Sequence, residues 1–270
     1  MPDPQIVVIE NGSITSTPGF VAAGVACGLK AEGALDFAMI HSNRPCASAA
    51  MFTTNAFKAA PVLYDQRVLA ENPGGLRGVV INSGCANACT GDQGLRDSEA
   101  MAAAAAAALN GLPPQAVAAD DVMVMSTGVI GMSLPMEKIM RGVTKAAGQL
   151  SSGVDAGHAA ARAIMTTDTR PKECAVRVVT NDGEYVIAGM VKGSGMIHPN
   201  MATMLSVLTS DARIAPELAQ RALDEAVACS FHRISVDGDT STNDTVLLMA
   251  NGSAAMPPIA SADSAGYADF

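Results

Sequence analysis

A layered α/β (α+β) fold is predicted for this 270-residue chain by three observations. Short runs rich in valine and isoleucine alternate with helical patterns along most of the length. No internal repeat interrupts that mixed order, which is the order of a sheet packed against helices. The residues are 49% hydrophobic but only 3% aromatic and 16% charged. Such a chain builds a large core from small aliphatic side chains, and is neither a disordered tail nor a small disulfide scaffold. Its length allows one large domain or two of ordinary size.

Strands are expected at Gln5–Glu10, Phe37–His41, Gly78–Asn82, Val122–Met125, Ala175–Thr180, Tyr185–Val191, Met204–Leu208 and Thr245–Ala250. Each is a short apolar run bounded by turn-forming residues. The first expected helix runs from Asp97 to Asn110. Asp97 or Ser98 caps it, alanine propensity carries its middle and Gly111 ends it. A second begins near Pro135, at the first helical position that tolerates proline, and runs to Leu150. A third covers Asp155–Met165. A fourth starts at Pro216 and aligns Leu218, Ala219, Ala222, Leu223, Ala226 and Val227 in one stripe. The tail Asn251–Phe270 has weak periodicity and reads as a linker-like end.

Charge and composition exclude several functions. The formal net charge is −9, with 17 Lys plus Arg against 26 Asp plus Glu. An acidic chain without a basic run or tryptophan is a poor partner for nucleic acid. The longest apolar run, Ala100–Leu109, falls short of the ~20 residues that cross a bilayer. The start Pro2-Asp3-Pro4 lacks a basic-then-apolar secretory signal. Six cysteines in 270 residues are too few for a disulfide framework, and most should be small buried hydrophobes. A cytoplasmic location follows as the expectation.

Five polar segments are unusually rich in Gly, Asn, Ser and Thr: Asn82–Gly91 (NSGCANACTG), Ser126–Gly131 (STGVIG), Met165–Thr169 (MTTDT), Lys192–Leu205 (KGSGMIHPNMATML) and Val236–Thr245 (VDGDTSTNDT). Any one is explained by turn chemistry. Several follow expected strands directly, where α/β proteins place ligands. Cys85 and Cys89 lack a second Cys/His pair, so no metal site is expected, and two buried thiols near a turn is the preferred reading. Gly193-Ser194-Gly195 fits neither a Walker loop nor a dinucleotide fingerprint, and no GxSxG elbow is present. Threonine remains as a nucleophile. At a chain terminus its own amine, with an ordinary pKa of about 7.7–8.0, serves as base. An internal threonine gains that amine only when the peptide bond before it is cut.

KGSGMIHPNMATML resembles the self-cleavage segment of ornithine acetyltransferase, the bifunctional arginine-biosynthesis enzyme of the ArgJ family. Pro18–Lys30 (PGFVAAGVACGLK), Arg44–Val62, NSGCANACTG, STGVIG, IMTTDT and VDGDTSTNDTVLLMANG resemble segments of that family in the same order. The resemblance spans about Gly12 to Gly252 and implies a DmpA/ArgJ-like self-processing fold, incomplete at the C-terminus. It implies cleavage between Ala202 and Thr203, with an upstream region 1–202 and the start of a downstream region 203–270. Gly193, Gly195 and Pro199 are the expected source of backbone strain at that bond. Thr203 becomes the nucleophile of a ping-pong transfer of acetyl from N-acetylornithine to glutamate.

By the same resemblance, Thr127 (side chain) and Gly128 (backbone N–H) form the oxyanion hole, and Thr166 and Lys192 bind substrate. Asp168, Asp237, Asp239 and Asn243 are polar enough to lie nearby, but turn and cap service explains them equally well. No cofactor is implied. Acetyl-coenzyme A is a further acetyl donor in some members, and the family assembly is α2β2. Two alternatives stay open: an inactive, shortened homologue that acts only in binding or assembly, and an N-terminal-threonine amidase or aminopeptidase.

Overall fold

The computed structural model describes residues 4–111, 116–196 and 204–270. In chain order the elements are β1 (Gln5–Val8), β2 (Phe20–Val25), β3 (Phe37–Phe52), α1 (Ala60–Glu71), β4 (Leu76–Cys85), α2 (Gly91–Leu109), β5 (Val122–Val129), α3 (Met136–Ala147) and α4 (Val154–Ala163). They continue with β6 (Lys172–Thr180), β7 (Gly183–Lys192), β8 (Leu205–Ser210), α5 (Pro216–Cys229), β9 (Thr245–Ala250) and α6 (Ala265–Asp269). The strand order is β1-β6-β7-β8-β9-β3-β4-β5, with β2 also on β3. Two pairs are parallel, β4 with β5 and β8 with β9.

The long strand β3 joins two halves. Its first part pairs with β2 and β4, and Ala47–Phe52 pairs with β9. The register with β4 shifts between His41 and Cys46, around Asn43-Arg44-Pro45. Those residues read as a turn, so the expected strand stops at His41. They form a bulge instead, where a proline without an N–H is tolerated.

Two cores follow from this division. Phe37, Met39, Ile81, Met101, Met123 and Ile139 are buried in the first, between the β2–β5 strands and helices α1–α4. Tyr185, Leu223, Val227, Val246, Leu248 and Ile259 fill the second, beneath α5 and the tail. The alanine run serves the first core. Met101, Ala102, Ala105, Ala106 and Leu109 form one buried stripe of α2, at the spacing of a helix face.

Helix α2 begins at Gly91, six residues before the expected start, and Asp97 and Ser98 lie inside it rather than capping it. Ser98 Oγ instead donates to the Gly94 carbonyl one turn earlier at 2.9 Å. A Cβ on Gly94 would lie 2.0 Å from Thr90 Oγ1 and 2.6 Å from Asn87 Oδ1. Glycine there lets the Asn87 and Thr90 side chains close over the helix start. Pro135 takes the capping position, one residue before α3. The tail is no free linker. Ala254 N donates to Asp211 O at 2.8 Å, Ile259 N to Arg213 O at 2.8 Å, and Tyr185 Oη to Asp269 O at 2.6 Å. Three cysteines are buried, but Cys89, Cys174 and Cys229 are exposed, so the Cys85–Cys89 pair holds one buried thiol, not two. Among the described residues, no helix is long and apolar enough to cross a membrane.

Candidate active site

The parallel strands β4 and β5 end in the segments NSGC and STGV, in register from Gly78 and Val122 to Gly84 and Gly128. Gly84 (φ 116°) and Gly128 (φ 136°) lie opposite each other in conformations that favour glycine. A Cβ on Gly128 would stand 2.3 Å from the Gly84 carbonyl carbon and 2.6 Å from Cys85 N. The two backbones therefore touch, and only glycine permits it. Ala86 N then donates to Val129 O and Gly131 N to Ala88 O, both at 2.9 Å, which zips the two loops together.

Buried polar side chains fix this crossing. Ser126 Oγ donates to Asn82 Oδ1 at 2.7 Å, and Asn82 Nδ2 to Cys85 O at 2.9 Å. Asn243, from the segment before β9, donates through Nδ2 to Ala86 O (2.6 Å) and Ser126 O (2.9 Å). Three sequence-distant segments thus meet at Thr127.

Lys192 closes the site from the other half of the sheet. It is the last residue of β7 and pairs in register with Leu205, the first residue of β8. The connection 193–204 therefore begins and ends at one place. Lys192 Nζ donates to Thr127 Oγ1 at 2.9 Å. Lysine has no lone pair to offer, so Thr127 must be the acceptor and keeps its own O–H free to donate. The two side chains are 4% and 8% exposed. Burial lowers the Lys192 pKa; Asp168 and Asp244 oppose that, while Lys172 and Lys30 add to it.

A cavity of about 420 Å³ is lined by Thr127, Gly128, Thr166, Lys192, Asp237 and Asn243, among others. The expected residues Thr127, Gly128, Thr166 and Lys192 are thus gathered around one space. Ala202 and Thr203 lie outside the described residues, as does Pro199. Gly193 and Gly195 are not among the positive-φ glycines of the described residues. Asp168 is a local organiser: it accepts from Gly193 N (2.9 Å), Thr166 N (3.3 Å) and Lys172. Burial pushes its pKa up, but these donors outweigh burial and hold it below the usual range. Asp239 is exposed, and its N–H donates to Asp237 Oδ1 in a turn. No group of three or more His, Cys, Asp or Glu among the described residues is placed to hold a metal ion.

Asp244 was not legible as a site residue. It is 1% exposed, and its Oδ1 accepts from Met204 N at 3.0 Å. Burial pushes its pKa up to about 8, against the Met204 amide, Ser241 and Lys192, which lower it. The available signal was its place in VDGDTSTNDT, directly before an apolar strand.

Between 73% and 94% of the chain is matched by each of three solved structures. The arginine biosynthesis bifunctional protein ArgJ of Bacillus halodurans superposes with a TM-score of 0.68 at 37% identity, over 76% of this chain and 100% of that one. Ornithine acetyltransferase of Mycobacterium tuberculosis, solved with ornithine, gives 0.66 at 42%, over 73% and 99%. The fold alone is shared with an aminopeptidase/esterase/amidase of Ochrobactrum anthropi described as a variant of the Ntn hydrolase fold (15% identity, TM-score 0.58, 94% of this chain and 77% of that one). Among curated relatives, the bifunctional ArgJ protein of Dehalococcoides mccartyi is 46% identical over 258 residues, which is 95% of this chain. That of Mycobacterium bovis is 48% identical over 252 residues, 93% of this chain. The chain spans 61% of the length of each of these two relatives. The ArgJ family model matches residues 21–270, and the chain belongs to the ArgJ family.

Proposed function

We propose that the protein is a self-cleaving, N-terminal-threonine acyltransferase that moves acetyl from N-acetylornithine to glutamate. The observation that carries this reading is the buried Lys192–Thr127 contact beside Gly128. It puts a cation, a free hydroxyl donor and a backbone N–H at one wall of the cavity. That is the equipment for a tetrahedral oxyanion, where preorganised donors outperform water.

In this reading Thr203 Oγ attacks the Ala202 carbonyl, the N–C bond gives way to an ester, and water releases Met1–Ala202. The free amine of Thr203 then serves as base for its own hydroxyl. Acetyl passes from N-acetylornithine to Thr203, ornithine leaves, and glutamate takes the acetyl group. Thr127 and Gly128 receive the oxyanion in both half-reactions. Lys192 and Thr166 hold the substrate carboxylate, a charge-assisted contact for lysine. The two solved family chains are matched almost wholly by 76% and 73% of this chain. About three quarters of it lies upstream of Thr203, which supports processing at that bond.

Nucleophile and base both come from the chain, so the chemistry asks for no cofactor; acetyl-coenzyme A is a second acetyl donor in this reading. We expect an α2β2 assembly of processed chains. The six cysteines are all unpaired thiols, which suits a reducing compartment, and we assign the cytoplasm. The test is acetyl transfer from N-acetylornithine to isotope-labelled glutamate. Labelled N-acetylglutamate with ping-pong kinetics is expected. Release of free acetate without transfer, or no turnover, would overturn the reading.

A further inference from the structure

We propose that Asp168 is a positioning residue of the donor site: its carboxylate sets the spacing between Thr166 and Lys192, the two residues that hold the substrate carboxylate. The assignment rests on the function proposed above and deepens it, because it names what builds that subsite.

The two binding residues come from different elements. Lys192 ends β7, whereas Thr166 lies in the loop between α4 and β6. Thr166 is exposed, so packing does not hold it in place. A ligand gripped by both residues needs that loop fixed against the strand end.

Asp168 makes the tie. Its side chain is 1% exposed. Oδ2 accepts from Thr166 N at 3.3 Å, and Oδ1 accepts from Gly193 N at 2.9 Å. The first N–H is that of Thr166 itself. The second belongs to the peptide that follows Lys192. One carboxylate therefore spans both backbones, with one oxygen on each.

Two lysines hold the same segments from the carbonyl side. Lys30 Nζ donates to Met165 O at 2.6 Å, so the 165–166 peptide is held at its carbonyl by Lys30 and at its N–H by Asp168. Lys172 Nζ donates to Asp168 Oδ1 and, at 3.0 Å, to Gly193 O. Gly193 is thus held at its N–H and at its carbonyl. Lys30 is itself anchored, with its N–H on Asp36 Oδ2 at 3.0 Å and its Nζ on Leu35 O at 2.9 Å. Every tie to the two binding residues goes through backbone, which leaves both side chains for the cavity they line.

The frame calls for a carboxylate. Three N–H donors converge on its two oxygens, and an ionised carboxylate only accepts. An asparagine has one acceptor oxygen. Its NH₂ would oppose either the Thr166 N–H or the Gly193 N–H and the Lys172 ammonium, and one tie breaks in both orientations.

The test measures N-acetylornithine binding to full-length wild type, Asp168→Asn and Asp168→Glu by calorimetry, beside acetyl-transfer kinetics and thermal melts. Asp168→Asn should raise Kd and KM for N-acetylornithine by about 10-fold or more, with kcat kept within about threefold. A residue that acted on stability alone would lower the active fraction and leave KM unchanged. Asp168→Glu keeps the charge but displaces it by one methylene, so it should raise the same constants by about threefold or more. Wild-type Kd and KM in folded Asp168→Asn would overturn the assignment. Should that variant not fold, Asp168→Glu decides by the same readout: raised constants support the assignment and wild-type constants overturn it. A wild-type chain that binds no N-acetylornithine would overturn the proposed function, and this assignment with it.

Discussion

Lys192 Nζ and Thr127 Oγ1 are 2.9 Å apart, although four strands separate β7 from β5 in the strand order. In a flat sheet, five spacings of about 4.8 Å would keep them roughly 24 Å apart. Two side chains cannot span that gap. The two halves of the sheet must therefore turn toward each other about β3, and the contact marks where their ends meet. The cavity is a product of that closure rather than of any one motif.

Replacing Lys192 by Met should separate stability from function. The change removes a buried cation whose pKa burial has already lowered. Acetyl transfer should fall by about 10²-fold or more, on the scale of losing a charge-assisted contact to the substrate carboxylate. The melting temperature should hold or rise, since an apolar side chain of similar volume needs no desolvation. Transfer kinetics beside a thermal melt check this; a large drop in melting temperature would show that Lys192 is chiefly structural.

Gly128→Ala should fail for a backbone reason. The new Cβ would meet Gly84 carbonyl carbon at 2.3 Å, at a φ of 136°. No side chain can move aside, so the β4–β5 crossing must open. A stability loss of about 1–3 kcal/mol is expected, together with loss of transfer. Urea denaturation and the acetyl-transfer assay measure the two effects.

Asp36 should prove a keystone of the neighbouring loop. Its carboxylate accepts from the backbone N–H groups of Cys27, Gly28, Leu29 and Lys30 at 2.6–3.0 Å. Burial pushes its pKa up, but these donors outweigh burial and hold it below the usual range. The stability it provides is present above the unfolded-state pKa and is lost as pH falls through the lower folded value. Leu29 also lies against the Gly84 backbone, so the loop supports the crossing at Gly128. Asp36→Ala should cost about 3 kcal/mol or more and remove part of the acid sensitivity, as read by denaturation at several pH values.

Asp65 has the opposite sign. It is fully buried on α1, and its single hydrogen bond among the described residues comes from Val124 N at 2.8 Å. Burial pushes its pKa well above the usual 3.8, against that one donor. The folded state then binds a proton that the unfolded state has lost, so stability falls as pH rises above about 4 toward the folded value. Asp65→Asn should flatten that slope and be more stable than the wild type at neutral pH. Melts across pH decide; an unchanged slope would count against the buried-acid account.

The strands at 78–82, 122–125 and 245–250 were legible because burial on both sides leaves continuous apolar runs; 185–191 was legible from its apolar run although Ile187, Gly189 and Val191 are only half-buried. β2 was hidden by its own residues, since Phe20–Val25 holds two alanines and a glycine. That glycine is required: a Cβ on Gly24 would stand 2.1 Å from the Ala159 carbonyl oxygen of α4. The start of α2 was hidden by Gly91 and Gly94, which weaken helix propensity but make room for Asn87 and Thr90. Around the cavity, Thr127, Gly128, Thr166 and Lys192 were legible through resemblance to a family. Asn243 was legible only as a polar residue near the site and Asp244 not at all, because the significance of both is tertiary. Asp244 meets the strand that follows residue 203, and Asn243 meets the carbonyls of Ala86 and Ser126.

In the proposed function Thr203, freed at the chain's own cleavage point, carries acetyl between substrates beside Thr127 and Lys192. The most direct measurement is intact mass after brief incubation with N-acetylornithine and an acid quench. Two pieces are expected, Met1–Ala202 and Thr203–Phe270, with one acetyl group on the second, lost on adding glutamate. An uncut chain, or cut pieces in which Thr203–Phe270 never gains acetyl, would contradict it.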